Sequence, residues 1–414
     1  MKKVTSALAL AALVGTPAAA MANVEFGGDY DASYFNVQGP ADRDTGVNQR
    51  IRLQSSFESD GGVEVHTRLN LMNDRWTGDA SGTNPDAAPF TTGGRGHRTT
   101  QLDYGYVSLP TQIGQVNIGR QMANWNPSGL TTTDDRRDRI SLVSPLGGGH
   151  TGIALYDQRQ SVSTDDRSDD GYLVGAALLG PLAEGVNYGL LLVQFETSAS
   201  GGGDNNYGLR GATLVSPYIQ GEAGDFNYEV GMHYLGQGRA LYEEDTFAAY
   251  VKGGFQMTPE FLLEGQVFHA ADGALIAGGY DTFSSLINNS PDHDQSATAI
   301  AGLNLSGLAL PAFDQDGEPV QVGGTEAQDG VERTLVAVRG TYQMMDWTFK
   351  GAAGWVNYDD ADLGPDEDVV FADLQAHFAL TDSTTVYGTA GFADAEDYLG
   401  RDVFATSLNV NVQF

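Results

Sequence analysis

The chain contains no cysteine, so disulfide stapling and thiolate chemistry are both closed to it. Positive charge is the second scarcity: 22 Lys and Arg stand against 54 Asp and Glu. Phosphate binding needs Lys and Arg, so this balance excludes nucleic acid as a partner. The third absence is any apolar stretch approaching 18 residues. Mean hydropathy is below zero, which excludes transmembrane helices. There is no Pro- or Ser-rich linker either, so residues 23–414 read as one domain rather than two.

What is present begins at the amino terminus. Lys2 and Lys3 precede the apolar run ALALAALV (7–14), and Ala20-Met21-Ala22 follows as an A-x-A cleavage signal. The run is too short to span a bilayer, so residues 1–22 are expected to be a cleaved export signal. Removing Lys2 and Lys3 leaves 20 basic residues against 54 acidic ones, with Lys252 and Lys350 the remaining lysines.

Period-two alternation runs through nearly all of the remainder. In VEFGGDYDASY (24–34), Val24, Phe26, Tyr30, Ala32 and Tyr34 share one parity, while Glu25, Asp29, Asp31 and Ser33 take the other. Around the tight turn at 59–62, one face carries Val47, Ile51, Leu53, Phe57, Val65 and Leu69. The opposite face carries Arg50, Arg52, Gln54, His66, Arg68 and Asn70. Connections alternate between short turns, such as 110–113 and 381–383, and long Asp/Gly-rich stretches, such as 74–99 and 271–295. Phe57, Phe226, Phe255, Tyr342, Trp347 and Phe349 cluster beside the short turns, as an interfacial aromatic girdle would. These regularities predict an all-β transmembrane antiparallel barrel of 16–18 strands. Nineteen candidate strands are countable. The odd one, at 297–305, reads as part of a long extracellular insertion, which leaves 18. A sheet in hydrocarbon must close on itself, and the last stretch FATSLNVNVQF (404–414) is expected to pair with 24–37 and end on Phe414.

YGYVSLPTQIGQVNIGRQ (104–121) resembles the "YVGL…FG…LGRQ" hairpin of the general bacterial outer-membrane porins, and RDRISLVSPLGGGHTGIALYDQ (137–158) resembles their return strand. The resemblance implies a Gram-negative outer-membrane location, passive diffusion of small hydrophilic solutes and ions through a water-filled pore, no enzymatic activity, and a homotrimer. It also implies contact with lipid, lipopolysaccharide and, through the Phe414 strand, the barrel-assembly machinery. In that family the third extracellular loop folds inward and sets acidic groups against wall arginines. Carried onto this chain, the loop spans 122–136 with Asp134 and Asp135 as its acids, and Arg120, Arg137 and Arg139 stand on the wall. The loop is short here and lacks the family's Pro-Glu-Phe-Gly-Gly element.

Position on the polar parity adds Arg50, Arg52 and Arg68 to the wall, with Lys252, Arg339 and Lys350 elsewhere in the lumen; Arg120 instead shares the parity of Val116 and Ile118. These basic groups either form an anion- or sugar-binding ladder in a substrate-specific channel, or pair with carboxylates such as Glu25, Glu64 and Glu264. The acidic mouths favour cations and basic strands favour anions, so selectivity stays open. An embedded hydrolase would need a nucleophile–base pair; GxSxG and HExxH are both absent, and His66, His233, His269 and His377 fall on separate strands. No cofactor is expected. FDQDGE (313–318) and 359–368 are oxygen-rich stretches that could take weak Ca²⁺, and Asp292-His293-Asp294 is a weaker candidate for a transition metal.

Overall fold

The computed structural model describes residues 23–39, 42–76, 100–160, 171–197, 211–236, 245–271, 280–287, 297–300, 312–313, 319–320, 332–359, 367–396 and 400–414. Eighteen antiparallel strands form one sheet. They are β1 (Asn23–Gly39), β2 (Asp42–Glu58), β3 (Glu64–Arg75), β4 (Gln101–Thr111), β5 (Gly114–Trp125), β6 (Thr132–Gly147), β7 (His150–Gln160), β8 (Gly171–Ala183) and β9 (Val186–Thr197). The sheet continues with β10 (Thr213–Ala223), β11 (Phe226–Gly236), β12 (Thr246–Thr258), β13 (Phe261–Ala271), β16 (Glu332–Met344), β17 (Trp347–Asp359), β18 (Glu367–Thr381), β19 (Thr384–Asp394) and β20 (Val403–Gln413). Between β13 and β16 lie a helical turn, α1 (Ala297–Ile300), and a two-residue ribbon of β14 (Ala312–Phe313) and β15 (Pro319–Val320). The insertion expected there is therefore present, and 18 is the barrel count.

Each strand pairs with its neighbours in the chain, and β1 pairs with β20 from Asp29↔Gln413 to Gln38↔Phe404. Gly28 N–H donates to Phe414 O at 2.8 Å, and Phe414 N–H returns to Gly28 O at 3.0 Å. That seam removes both sheet edges, as hydrocarbon demands. The outer parity carries Val24, Phe26, Tyr34, Val251, Val267, Val338 and Leu408, all exposed. Phe57, Phe226, Phe255, Tyr342 and Trp347, beside the short turns, are exposed as well, in keeping with a girdle at one rim.

The lumen departs from simple alternation. Inward-facing Phe35, Tyr250, Phe268, Leu335, Val356 and Phe371 form a buried apolar cluster with Leu130 from the β5–β6 connection and with Tyr280, Phe283, Leu286 and Ile287 from the insertion. A second cluster joins Leu173, Leu191, Val193, Phe195, Leu214 and Leu235 of β8–β11 to Trp125. A barrel of this size is wider than its side chains can fill. Apolar inner faces therefore bury themselves against chain segments that enter the lumen, each buried side chain contributing about 1.5–3 kcal/mol.

Candidate pore constriction

On the β1–β7 sector, charges meet as direct cross-strand neighbours. Arg52 faces Asp29 and Arg50 faces Asp31 across the β1–β2 ladder, with Arg52 Nε donating to both Asp29 oxygens at 2.9 and 3.0 Å and Arg50 Nη2 to Asp31 Oδ2 at 2.9 Å. The Arg50–Asp31 pair is buried, its side chains 4% and 3% exposed; the Arg52–Asp29 pair remains partly open to the lumen. Arg139 faces Asp157 between β6 and β7 and donates twice, at 2.5 and 2.7 Å.

Arg68 lies opposite Tyr104, with its guanidinium 4.8 Å from that ring's centre. Its Nε donates to Asp103, a residue left over in the β3–β4 ladder, where Arg68 pairs with Tyr104 but Leu69 with Leu102. Such a bulge places two residues opposite one and turns Asp103 inward against its parity. Arg136 Nε donates to the other oxygen of Asp103 at 2.6 Å, so one carboxylate holds two guanidiniums. Alternation alone gives neither Asp103 nor Arg136 a pore role, because a bulge and a bend each change which face a residue shares.

The bend belongs to the β5–β6 hairpin. Ladder pairing of β5 with β4 ends at Gly105↔Arg120, while β5 and β6 stay paired through Trp125↔Thr132. The free end crosses the lumen. Trp125 Nε1 donates to Ser216 O on β10 at 3.0 Å, and Ser128 donates from both N (3.0 Å) and Oγ (2.6 Å) to Glu229 Oε1 on β11, which also accepts from Tyr250. The turn itself is 126–131, opened by Asn126 at φ 57° and closed by Leu130 N–H donating to Asn126 Oδ1 at 2.8 Å.

The expected inward loop is thus present as a hairpin tip, not as a loop over 122–136. Asp134 and Asp135 stand on β6, Asp135 opposite Ala123; their side chains lie outside the described residues. Arg137 stands opposite Gln121 on the inward parity of Arg139. Arg120 is a correction: it faces outward with Ile118 and Ile140, 43% exposed, and donates to Asp138 at 2.9 and 3.1 Å.

A second inward element, the strap 280–287, follows β13. Asp281 N–H donates to Ser128 O at 3.2 Å, joining strap to hairpin tip. Lys252 Nζ donates to Asp281 O at 2.7 Å and lies 4.5 Å from the centre of the Tyr280 ring. Tyr280 donates to Gln266 at 3.0 Å, and burial pushes its phenol well above the usual range, so it stays a neutral donor. Ser284 and Ser285 both donate to Asp373 on β18, the latter at 3.1 Å. Arg339 stacks on Phe283 at 4.3 Å and pairs with Glu264 at 2.8 and 3.0 Å. Lys252 and Arg339 thus stand against the strap, each paired with an acid. Lys350 stands opposite Thr341 and Gln375 on the same inward face. Where strap and tip meet there is a cavity of about 510 Å³, whose walls include Asn187, Gln220, Glu229, Lys252, Asp281 and Arg339.

Of the histidines, His66 bonds Glu64 and stacks on Tyr106. His377 bonds Gln375, and His269 bonds Thr334 on the outward parity. His233 is fully buried without a hydrogen-bond partner. Among the described residues no cluster of His, Asp and Glu is placed to hold a metal. Asp292-His293-Asp294 and most of both candidate Ca²⁺ stretches lie outside the described residues.

A closed 18-stranded barrel narrowed by inward segments is the architecture of outer-membrane channels, and the family model of the Gram-negative porins matches residues 9–398. The chain belongs to the Gram-negative porin family. Among solved structures, this porin is similar to OpdK from Pseudomonas aeruginosa, at 12% identity and a TM-score of 0.59 over 95% of this chain and 98% of that one. OccAB2 from Acinetobacter baumannii matches at 12% identity and a TM-score of 0.58, over 95% and 98%. OccK5 (OpdH) from Pseudomonas aeruginosa matches at 8% and 0.56, over 94% and 98%. Comparison of the sequence with curated proteins gives no match. The porin resides in the outer membrane, and its strands rather than helices cross the bilayer.

Proposed function

We propose that this porin is a passive channel for small hydrophilic solutes that prefers cations. The observation that carries the preference is the pairing of its lumen arginines. Arg50, Arg52, Arg68, Arg136, Arg139 and Arg339 each donate to a wall carboxylate. A neutralised guanidinium attracts anions weakly, so the surplus of 54 acidic over 20 basic residues in 23–414 sets the potential that an entering ion meets. In this reading residues 1–22 are removed on export and 23–414 work as one domain without cofactor or chemistry. Copies assemble as homotrimers in a lipopolysaccharide leaflet, and the Phe414 strand addresses the assembly machinery. Reversal potentials in planar bilayers under a KCl gradient test it: a potential of cation-selective sign is expected, and an anion-selective sign or no ohmic channel overturns it.

The cavity beside Lys252 and Arg339 favours a second reading, a solute-specific site. OpdK has been solved with vanillate, and a comparable seat here would show as solute-dependent current blocking that saturates with concentration.

A further inference from the structure

The cavity between strap and hairpin tip has two unlike sides. On β12, β16 and the strap, its charges are committed to one another. Lys252 donates to Asp281 O at 2.7 Å and stands 3.8 Å from that residue's carboxylate, and both oxygens of Glu264 accept from Arg339. The β9–β11 side is different. Asn187, Gln220, Glu229 and Lys252 are successive cross-strand neighbours there, and Glu222 faces Asn227 one row nearer the short turns. Asn187, Gln220 and Asn227 all line the cavity, yet among the described residues their side chains make no hydrogen bond. Glu229 takes three donors on Oε1, two from Ser128 and one from Tyr250. Its Oε2 holds none among the described residues.

What such a wall binds follows from its open valences. A primary amide offers two N–H donors and two acceptor lone pairs, whereas a carboxylate only accepts. A hydroxyl does both, so a solute carrying several hydroxyls meets every one of these groups. An anion finds the two cations of the cavity already paired. A cation at Glu229 would lie beside Lys252, its cross-strand neighbour, and be repelled by it. A neutral solute meets neither obstacle. The volume of about 510 Å³ falls within the range of about 300–1,000 Å³ that small-molecule sites occupy.

Building on the reading of this cavity as a solute-specific site, we propose that its solute is a neutral polyhydroxylated molecule, a mono- or disaccharide. Asn187, Gln220, Asn227 and Glu229 hold its hydroxyls, and the paired cations stand aside.

Single-channel currents through the purified porin in planar bilayers test this, with sucrose, vanillate or choline added to both sides. Sucrose is expected to interrupt the current with a block that saturates with concentration, and the two ions are expected to give none. If no solute blocks saturably, the solute-specific site itself falls, and the proposal with it. Saturable block by vanillate or choline, with or without block by sucrose, leaves the site standing and overturns its assignment to neutral polyols. The variants Asn187→Leu and Gln220→Leu each remove an amide without emptying its place. Both are expected to keep an ohmic open current, which shows a folded barrel, while the sucrose block shortens several-fold. Gln115→Leu removes an amide on β5, outside the cavity, and is expected to leave the block unchanged. A block that all three variants leave alone, or that Gln115→Leu shortens equally, places the sugar elsewhere and overturns the proposal.

Discussion

Asp103 is the residue on which the charge of the basic wall turns. It is buried and accepts from both Arg68 and Arg136. Asp103→Asn keeps the shape and one acceptor oxygen but leaves two guanidiniums facing an uncharged amide. A unit charge at 4 Å is worth about 1 kcal/mol even in water, so the cation-to-anion permeability ratio is expected to fall severalfold, read as a shift of reversal potential toward the anion side. Arg120→Ala, which removes a charge from the outer surface, is expected to leave that potential where it was. If the two variants behave alike, the channel is responding to net charge rather than to lumen position. His233, on β11, is buried, and nothing in the structure accounts for its lack of a partner.

Among elements, the two inward segments do the narrowing, and they differ in how they are held. The hairpin tip is carried by its own paired strands, whereas the strap depends on Asp373, which accepts from Ser284 and Ser285, and on apolar packing of Leu286 and Ile287. Hydrogen bonds to a charged group contribute about 1.5–3 kcal/mol each. Asp373→Ala is therefore expected to loosen the strap, raising mean single-channel conductance and adding current flicker. Steady, unaltered conductance would mean that packing alone holds it. These elements also mark where reading the chain by periodicity stops. Alternation and turn spacing made the strands, their count and the β1–β20 closure legible, because each strand's pattern is set by its own two faces. The Asp103 bulge and the hairpin's departure from β4 invert local parity, which hid Asp103 and Arg136. The strap, in SSLIN-type sequence without a period, is placed by contacts to β12, β13 and β18, with Asp373 lying 88 residues beyond Ser285. Arg120 is the converse: its parity with Val116 and Ile118 marks it as outward, and the family pattern alone places it on the wall.

For the whole molecule, stability rests on one seam that joins the chain's two ends. Eighteen strands form a ring only if β1 meets β20, and Gly28 sits where that contact is tightest. A Cβ there would stand 2.4 Å from Arg52 O and 2.6 Å from the Phe414 ring. The backbone oxygen belongs to a laddered strand and cannot withdraw without breaking pairing, so Gly28→Ala forces β1 away from β2 or Phe414 out of place. Overpacking of this kind costs about 1–3 kcal/mol. In urea titrations of the protein in vesicles, followed by the tryptophan emission, Gly28→Ala is expected to lower the unfolding midpoint. Removing the ring with Phe414→Ala in the same chain relieves one of the two clashes, so part of the loss is expected to return relative to Phe414→Ala alone. Two losses that simply add would place the strain wholly at Arg52 O and leave the terminal aromatic without a part in closing the barrel.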